Sequence, residues 1–252
     1  MKYWIFIFLV GHFRIFCDYP NLDNNPFITA DMQKIITPHL LPVDHTTMPA
    51  LHEIFSQPNA VHDEESLKAL GFSILSIRKK SAVVVARHSQ LPGFIFKIYR
   101  DSDPRGRHNE LGWESLVRRC VNAKKVKDII KKQGLIYFKV PDKWLYVLPF
   151  TSDTPGTLHQ PVILLATDME IVTNEETKLA WKSRVSPRHL NELYIVLKSG
   201  YGSTFLTGNI PLTKSGTFAL LDLEKPKRKF NMKEIEPYLS KNMRHYWRSI
   251  AY

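Results

Sequence analysis

Cysteine is nearly absent from this chain of 252 residues, with only Cys17 and Cys120 present. Two thiols so far apart supply neither a disulfide framework nor a zinc site; one structural pair is the most they form. Glycine is sparse as well, at 11 residues. No G-x-G-x-x-G, G-x-S-x-G or H-E-x-x-H run occurs, which removes dinucleotide-binding, hydrolase and zincin signatures. His39, His45 and His52 lie close together but in a proline-rich stretch without ligand spacing. No segment approaches 18 uninterrupted apolar residues, so a membrane-spanning helix is not expected. Acidic charge is the scarce sign: 24 Asp and Glu stand against 35 Lys and Arg, a net charge of +11. That excess favours an anionic partner, whether nucleotide phosphate, nucleic acid or an acidic membrane surface, and does not choose among them.

What is present suits a packed fold. Hydrophobic residues make up 44% and aromatics 12% of the chain, enough to bury one sizeable core. Lys2 followed by the apolar run Tyr3–Val10 resembles a short signal-peptide core. His12 and Arg14 follow at once, and no small-residue cleavage site appears, so a buried opening element competes with export. Localisation stays open between cytoplasmic and exported. Six prolines (Pro20, Pro26, Pro38, Pro42, Pro49 and Pro58) limit residues 18–62 to short elements. We expect helices near Ile28–Thr37 and Ala50–Phe55 in an extension that wraps a core or acts as a linker.

A cleaner pattern begins at Asp63, which can cap a helix closed by Gly71. Phe72–Ile77, Ala82–Ala86 and Phe94–Tyr99 read as a three-strand antiparallel meander. A long helix then carries Trp113, Leu116, Val117, Cys120 and Val121 on one side, up to Gly134. Leu135–Val140 and Trp144–Leu148 read as a hairpin around Pro141-Asp142-Lys143. The second half is more helical: Glu175–Lys182, a helix opening at Ser186-Pro187, a strand Thr217–Leu223, and a basic tail with one helix after Asn231. The organisation expected is 1–62 extension, 63–150 first lobe, and 151–252 reduced second lobe.

Four residues fall in a suggestive order. Lys97 lies on the third strand, Glu114 (with Glu110 as rival) at the next long helix, Asn209 in a later loop, and Asp222 at the end of the apolar run Phe218-Ala219-Leu220-Leu221. With Gly208-Asn209-Ile210 ahead of Ala219-Leu220-Leu221-Asp222-Leu223-Glu224, residues 71–224 resemble the protein-kinase-like fold, in particular small bacterial and aminoglycoside-type kinases. The resemblance implies an α+β molecule with an antiparallel-sheet N-lobe, one long helix and a minimal, mostly helical C-lobe. It implies that Lys97 contacts nucleotide phosphate and pairs with Glu114, and that Asn209 and Asp222 hold Mg²⁺.

The chain departs from that family at three points. The loop between the first two strands is Arg78-Lys79-Lys80-Ser81, without the glycines that let backbone N–H groups reach phosphate. The catalytic aspartate position, five residues before Asn209, holds Thr204, whose hydroxyl has no useful basicity near neutral pH. Only 28 residues follow Glu224, too few for a peptide-binding lobe. The expectation is therefore a pseudokinase-like regulatory or scaffold protein with a degenerate cleft for ATP and magnesium, engaging a nucleotide and a protein partner. One alternative is an atypical phosphotransferase using Glu192 or Asp168 as its base. The other is a basic-surface binder of nucleic acid or acidic lipid, built on Arg118, Arg119, Lys124, Lys125, Lys127, Lys131 and Lys132 of the long helix and on Lys225, Lys227, Arg228 and Lys229 of the tail.

Overall fold

A computed structural model describes residues 19–77, 83–103, 110–150, 159–225 and 229–252. The signal-like opening with Cys17, the loop Arg78–Ser81, and Lys227 and Arg228 of the tail cluster lie outside the described residues.

The extension forms two short helices, α1 (Ala30–Ile36) and α2 (Met48–Phe55). Asp63 caps α3 (Glu64–Ala69) by accepting from the Ser66 N–H at 2.8 Å. Gly71, at φ 91°, turns the chain out of that helix, a backbone state that glycine adopts without strain. Strands β1 (Phe72–Ile77), β2 (Val83–His88) and β3 (Phe94–Tyr99) form the expected meander. The long helix α4 (Gly112–Gln133) ends at Gly134, which takes the left-handed conformation and returns its N–H to the Ile130 and Lys131 carbonyls.

Two further strands, β5 (Lys143–Val147) and β6 (Val162–Thr167), complete an antiparallel sheet in the order β1-β2-β3-β6-β5. Five apolar residues of β6 are buried, as a central strand covered on both faces requires. The extension covers one face: Phe55 packs on Phe72 and Tyr146 at ring distances of 5.7 and 5.8 Å, and Phe72 meets Phe96 at 5.2 Å. It also protects the outer edge of β5, where the Leu41 N–H donates to the Leu145 carbonyl at 2.9 Å. Residues 19–62 thus wrap the core and are no free linker. Helix α4 covers the other face through Leu116, Val117 and Cys120.

A second core gathers around Trp181, Leu193, Phe218 and Trp247. It is built from α5 (Asn174–Ser183), α6 (Pro187–Lys198), the short α7 (Leu206–Asn209) and the terminal α8 (Lys241–Ala251). The molecule is α+β, with a five-strand sheet packed between the extension and α4, and a second part that is mostly helical.

Two expected elements differ: the strand Thr217–Leu223 is reduced to Phe218–Ala219, and the hairpin does not form. Phe138–Lys139, here β4, does not turn back on β5 as a hairpin; it pairs in parallel with β7 (Phe218–Ala219). The Phe218 N–H donates to the Tyr137 carbonyl and the Leu220 N–H to the Lys139 carbonyl, both at 2.8 Å. The Phe138 ring joins Phe218 and Trp181 in the second core. A local hairpin would forgo that aromatic burial, which is the larger stabilising term.

Candidate functional site

Side chains alternate across a strand. In β3, Phe96 faces the extension, so Lys97 projects to the α4 side with Tyr99. Lys97 stands opposite Val85 of β2 and Leu164 of β6. Across the register, Lys143 of β5 lies on that same α4 side, aligned with Ala166 and, through it, with Ile95. Its ammonium donates to the Leu221 carbonyl at 3.1 Å, next to Asp222. Lys97 and the Asp222 segment therefore share one side of the sheet.

The segment Leu221–Glu224 is stitched to α4 by four polar side chains. Arg119 donates to Asp222 Oδ1 at 2.6 Å and to Glu224 Oε2 at 2.7 Å. Ser115 Oγ donates to Glu224 Oε1 at 3.2 Å, Arg118 Nε to the Glu224 carbonyl at 3.1 Å, and Asn122 to the Leu223 carbonyl at 2.7 Å. Arg119 is only 3% exposed. A guanidinium so enclosed has to be matched, and two carboxylates at bidentate range do so. Positions 115, 118, 119 and 122 fall at i, i+3, i+4 and i+7, a single helix face.

Asn209, at the end of α7, accepts the Leu221 N–H on its carbonyl at 3.0 Å. Backbone pairing thus sets Asn209 beside Asp222, although its side-chain amide donates to Ser203 Oγ at 2.9 Å. Thr204 donates its hydroxyl to Glu234 at 2.5 Å. Glu110 forms a bidentate pair with Arg118. Glu114 sits in the first turn of α4 and adds to the negative field at Arg118; among the described residues it makes no ion pair.

The two substitute carboxylates have other duties. Glu192, 4% exposed, accepts the Ile136 and Tyr137 N–H groups at 3.0 and 2.9 Å. Asp168 pairs with Arg87 at 2.7 Å and accepts the Glu170 N–H. Arg118 and Arg119 are likewise committed inside the fold, and Lys127 pairs with Asp142. The basic face that α4 offers outward consists of Lys124, Lys125, Lys131 and Lys132, all exposed.

Burial drives the titration behaviour here. It pulls the Lys143 ammonium down to about 8, with the neighbouring Arg119 charge adding to the effect. Burial also pushes the Cys120 thiol up to about 12, leaving it protonated and unreactive near neutrality. Among the described residues no group of three His, Cys, Asp or Glu side chains is arranged to hold a metal, and no helix is long and apolar enough to cross a membrane.

Sequence reasoning read Arg119 only as part of a basic surface, and gave no site role to Ser115, Asn122 or Lys143. The first three carried a readable signal in their helical spacing. Lys143 carried none, because its depth depends on how α4 seats on the sheet. The chain matches no family model, and no curated protein is significantly similar to it.

Proposed function

We propose that the chain is a pseudokinase-like regulatory or scaffold protein whose nucleotide cleft is degenerate. The observation that carries this reading is the pairing of buried Arg119 with both Asp222 and Glu224. A five-strand antiparallel sheet, a long helix after the third strand, Lys97 on the helix side, and Asn209 backbone-paired beside Asp222 support the kinase-like part. The guanidinium supports the degenerate part. It supplies from within the positive charge that Mg²⁺ would bring to Asp222, and its charge repels a cation arriving there. Thr204 in place of a carboxylate supports loss of phosphotransfer. Lys97 remains the phosphate contact and Glu114 its orienting neighbour in this reading.

Thermal unfolding with ATP, with and without magnesium, tests it through the stabilisation that any folded-state ligand must give. ATP at millimolar concentration is expected to raise the midpoint of the natural chain without help from magnesium, and Lys97→Ala to abolish the rise. ATP turnover, or a magnesium-dependent rise removed by Asp222→Asn, would overturn the degenerate-cleft reading. No rise under any condition would remove nucleotide binding and leave a scaffold.

A further inference from the structure

A second site lies under α4, on the flank away from the Asp222 contacts. A recess of about 240 Å³, open to solvent on one side, is bounded by α4, by the loop into β5, and by the turn Thr37–His39 with Leu40 of the extension. Three lysines from two elements line it: Lys124 and Lys127 of α4, and Lys143 of β5. His39 faces them from the extension, and Trp144, Leu40 and Pro141 supply apolar wall. The acidic lining residue is Asp142, already paired with Lys127. The balance is thus two ammonium charges beyond the one that Asp142 matches.

Lys143 makes this more than a patch of surface lysines. Lys143 is half-buried, and its ammonium forms no ion pair with a described carboxylate. Its single hydrogen bond goes to the Leu221 carbonyl at 3.1 Å. An ammonium has three donors, so two remain for a ligand in the recess. Groups of both signs surround it: Arg119 and Lys127 disfavour its charge, while Asp222 favours it. His39 is held below its ordinary value by burial and by Lys124, so near neutrality it is an uncharged imidazole that can share a proton with an oxyanion.

We propose that this recess binds a phosphate-type dianion, a phosphate monoester or free phosphate, between Lys124 and Lys143. The site is independent of the kinase-like reading, since it uses neither Lys97 nor Asp222. A bound dianion would satisfy the donors that Lys143 leaves unused and favour its charged form. Binding above pH 8 would therefore be accompanied by proton uptake. The hydrogen bond from Lys143 to Leu221 links the recess to the segment that α4 clamps.

Calorimetric titration of the full chain with inorganic phosphate at constant ionic strength tests the proposal. Repeating it in buffers of different ionisation enthalpy near pH 8.5 reads the proton uptake. Saturable binding is expected, about tenfold weaker in Lys124→Ser and at least as weak in Lys143→Met, the change for one lost hydrogen bond to a charged group. Lys124 is exposed, so its variant keeps the test valid if Lys143→Met folds poorly. Glycerol phosphate in parallel separates the sources: tighter binding than phosphate means that the wall beside Trp144 recognises an organic body, and equal binding assigns the site to free phosphate. Binding untouched by Lys124→Ser, or matched by chloride, would overturn the proposal. Binding lost in Lys97→Ala would also overturn it, moving the phosphate to the cleft.

Discussion

Arg119 shows what one residue contributes when two carboxylates depend on it. Replacing it with Met takes from half-buried Asp222 and Glu224 the guanidinium that pairs with both, and leaves Glu224 the more distant Arg118 at 4.0 Å. Breaking a buried pair from one side costs about 3–5 kcal/mol, so the urea midpoint of Arg119→Met should fall accordingly. Arg119→Lys should recover only part, because an ammonium cannot reproduce the two-pronged contact. A midpoint within error of the natural chain would show that the clamp holds nothing. Lys143 has the opposite sign. Its pKa of about 8 in the folded chain lies below the ordinary 10.5. Between those values the unfolded chain binds more protons, so stability rises as pH climbs from about 8 towards 10.5. Below pH 8 both states are protonated, and the burial penalty of the ammonium is fully felt. The stability of the natural chain relative to Lys143→Met should therefore grow from pH 8 to pH 10. A difference that stays flat over that range would refute the burial of this ammonium.

At the scale of elements, helix α4 is the hinge of the design. It presents an apolar stripe to the sheet, a polar stripe to residues 221–224, and an exposed basic face outward. Its start has no slack: a Cβ on Gly112 would stand 2.5 Å from the Tyr99 ring and 2.9 Å from Gln160 Oε1. Gly112→Ala should therefore destabilise by about 1–3 kcal/mol, the usual cost of overpacking, against the gain that alanine brings to an open helix position. Chemical denaturation reads the sign directly, and a more stable Gly112→Ala would mean that α4 can shift off the sheet. The helix was legible in the sequence because its apolar residues recur at helical spacing and Gly134 stops it. The hairpin after it was misjudged because Phe138 finds its partners 80 residues later, in Phe218, beyond the reach of local pattern.

For the molecule as a whole, short-range chemistry along the chain set the local vocabulary. Asp63 and Gly71 bound a helix, β-branched and aromatic runs make the meander, and Ser186-Pro187 opens α6, because capping, φ preference and side-chain period act within a few residues. The α+β class and the candidate set Lys97, Glu114, Asn209 and Asp222 are what the kinase-like resemblance of that order of elements implies. Tertiary structure alone decided the rest. It turned the proline-rich extension into the cover of a sheet face, set Asn209 beside Asp222, and matched Asp222 to a buried arginine. It also set the half-buried ammonium of Lys143 beside a recess. Charge pairing and burial depend on distances between segments far apart along the chain, and those distances exist only once two faces of the sheet and one helix have packed.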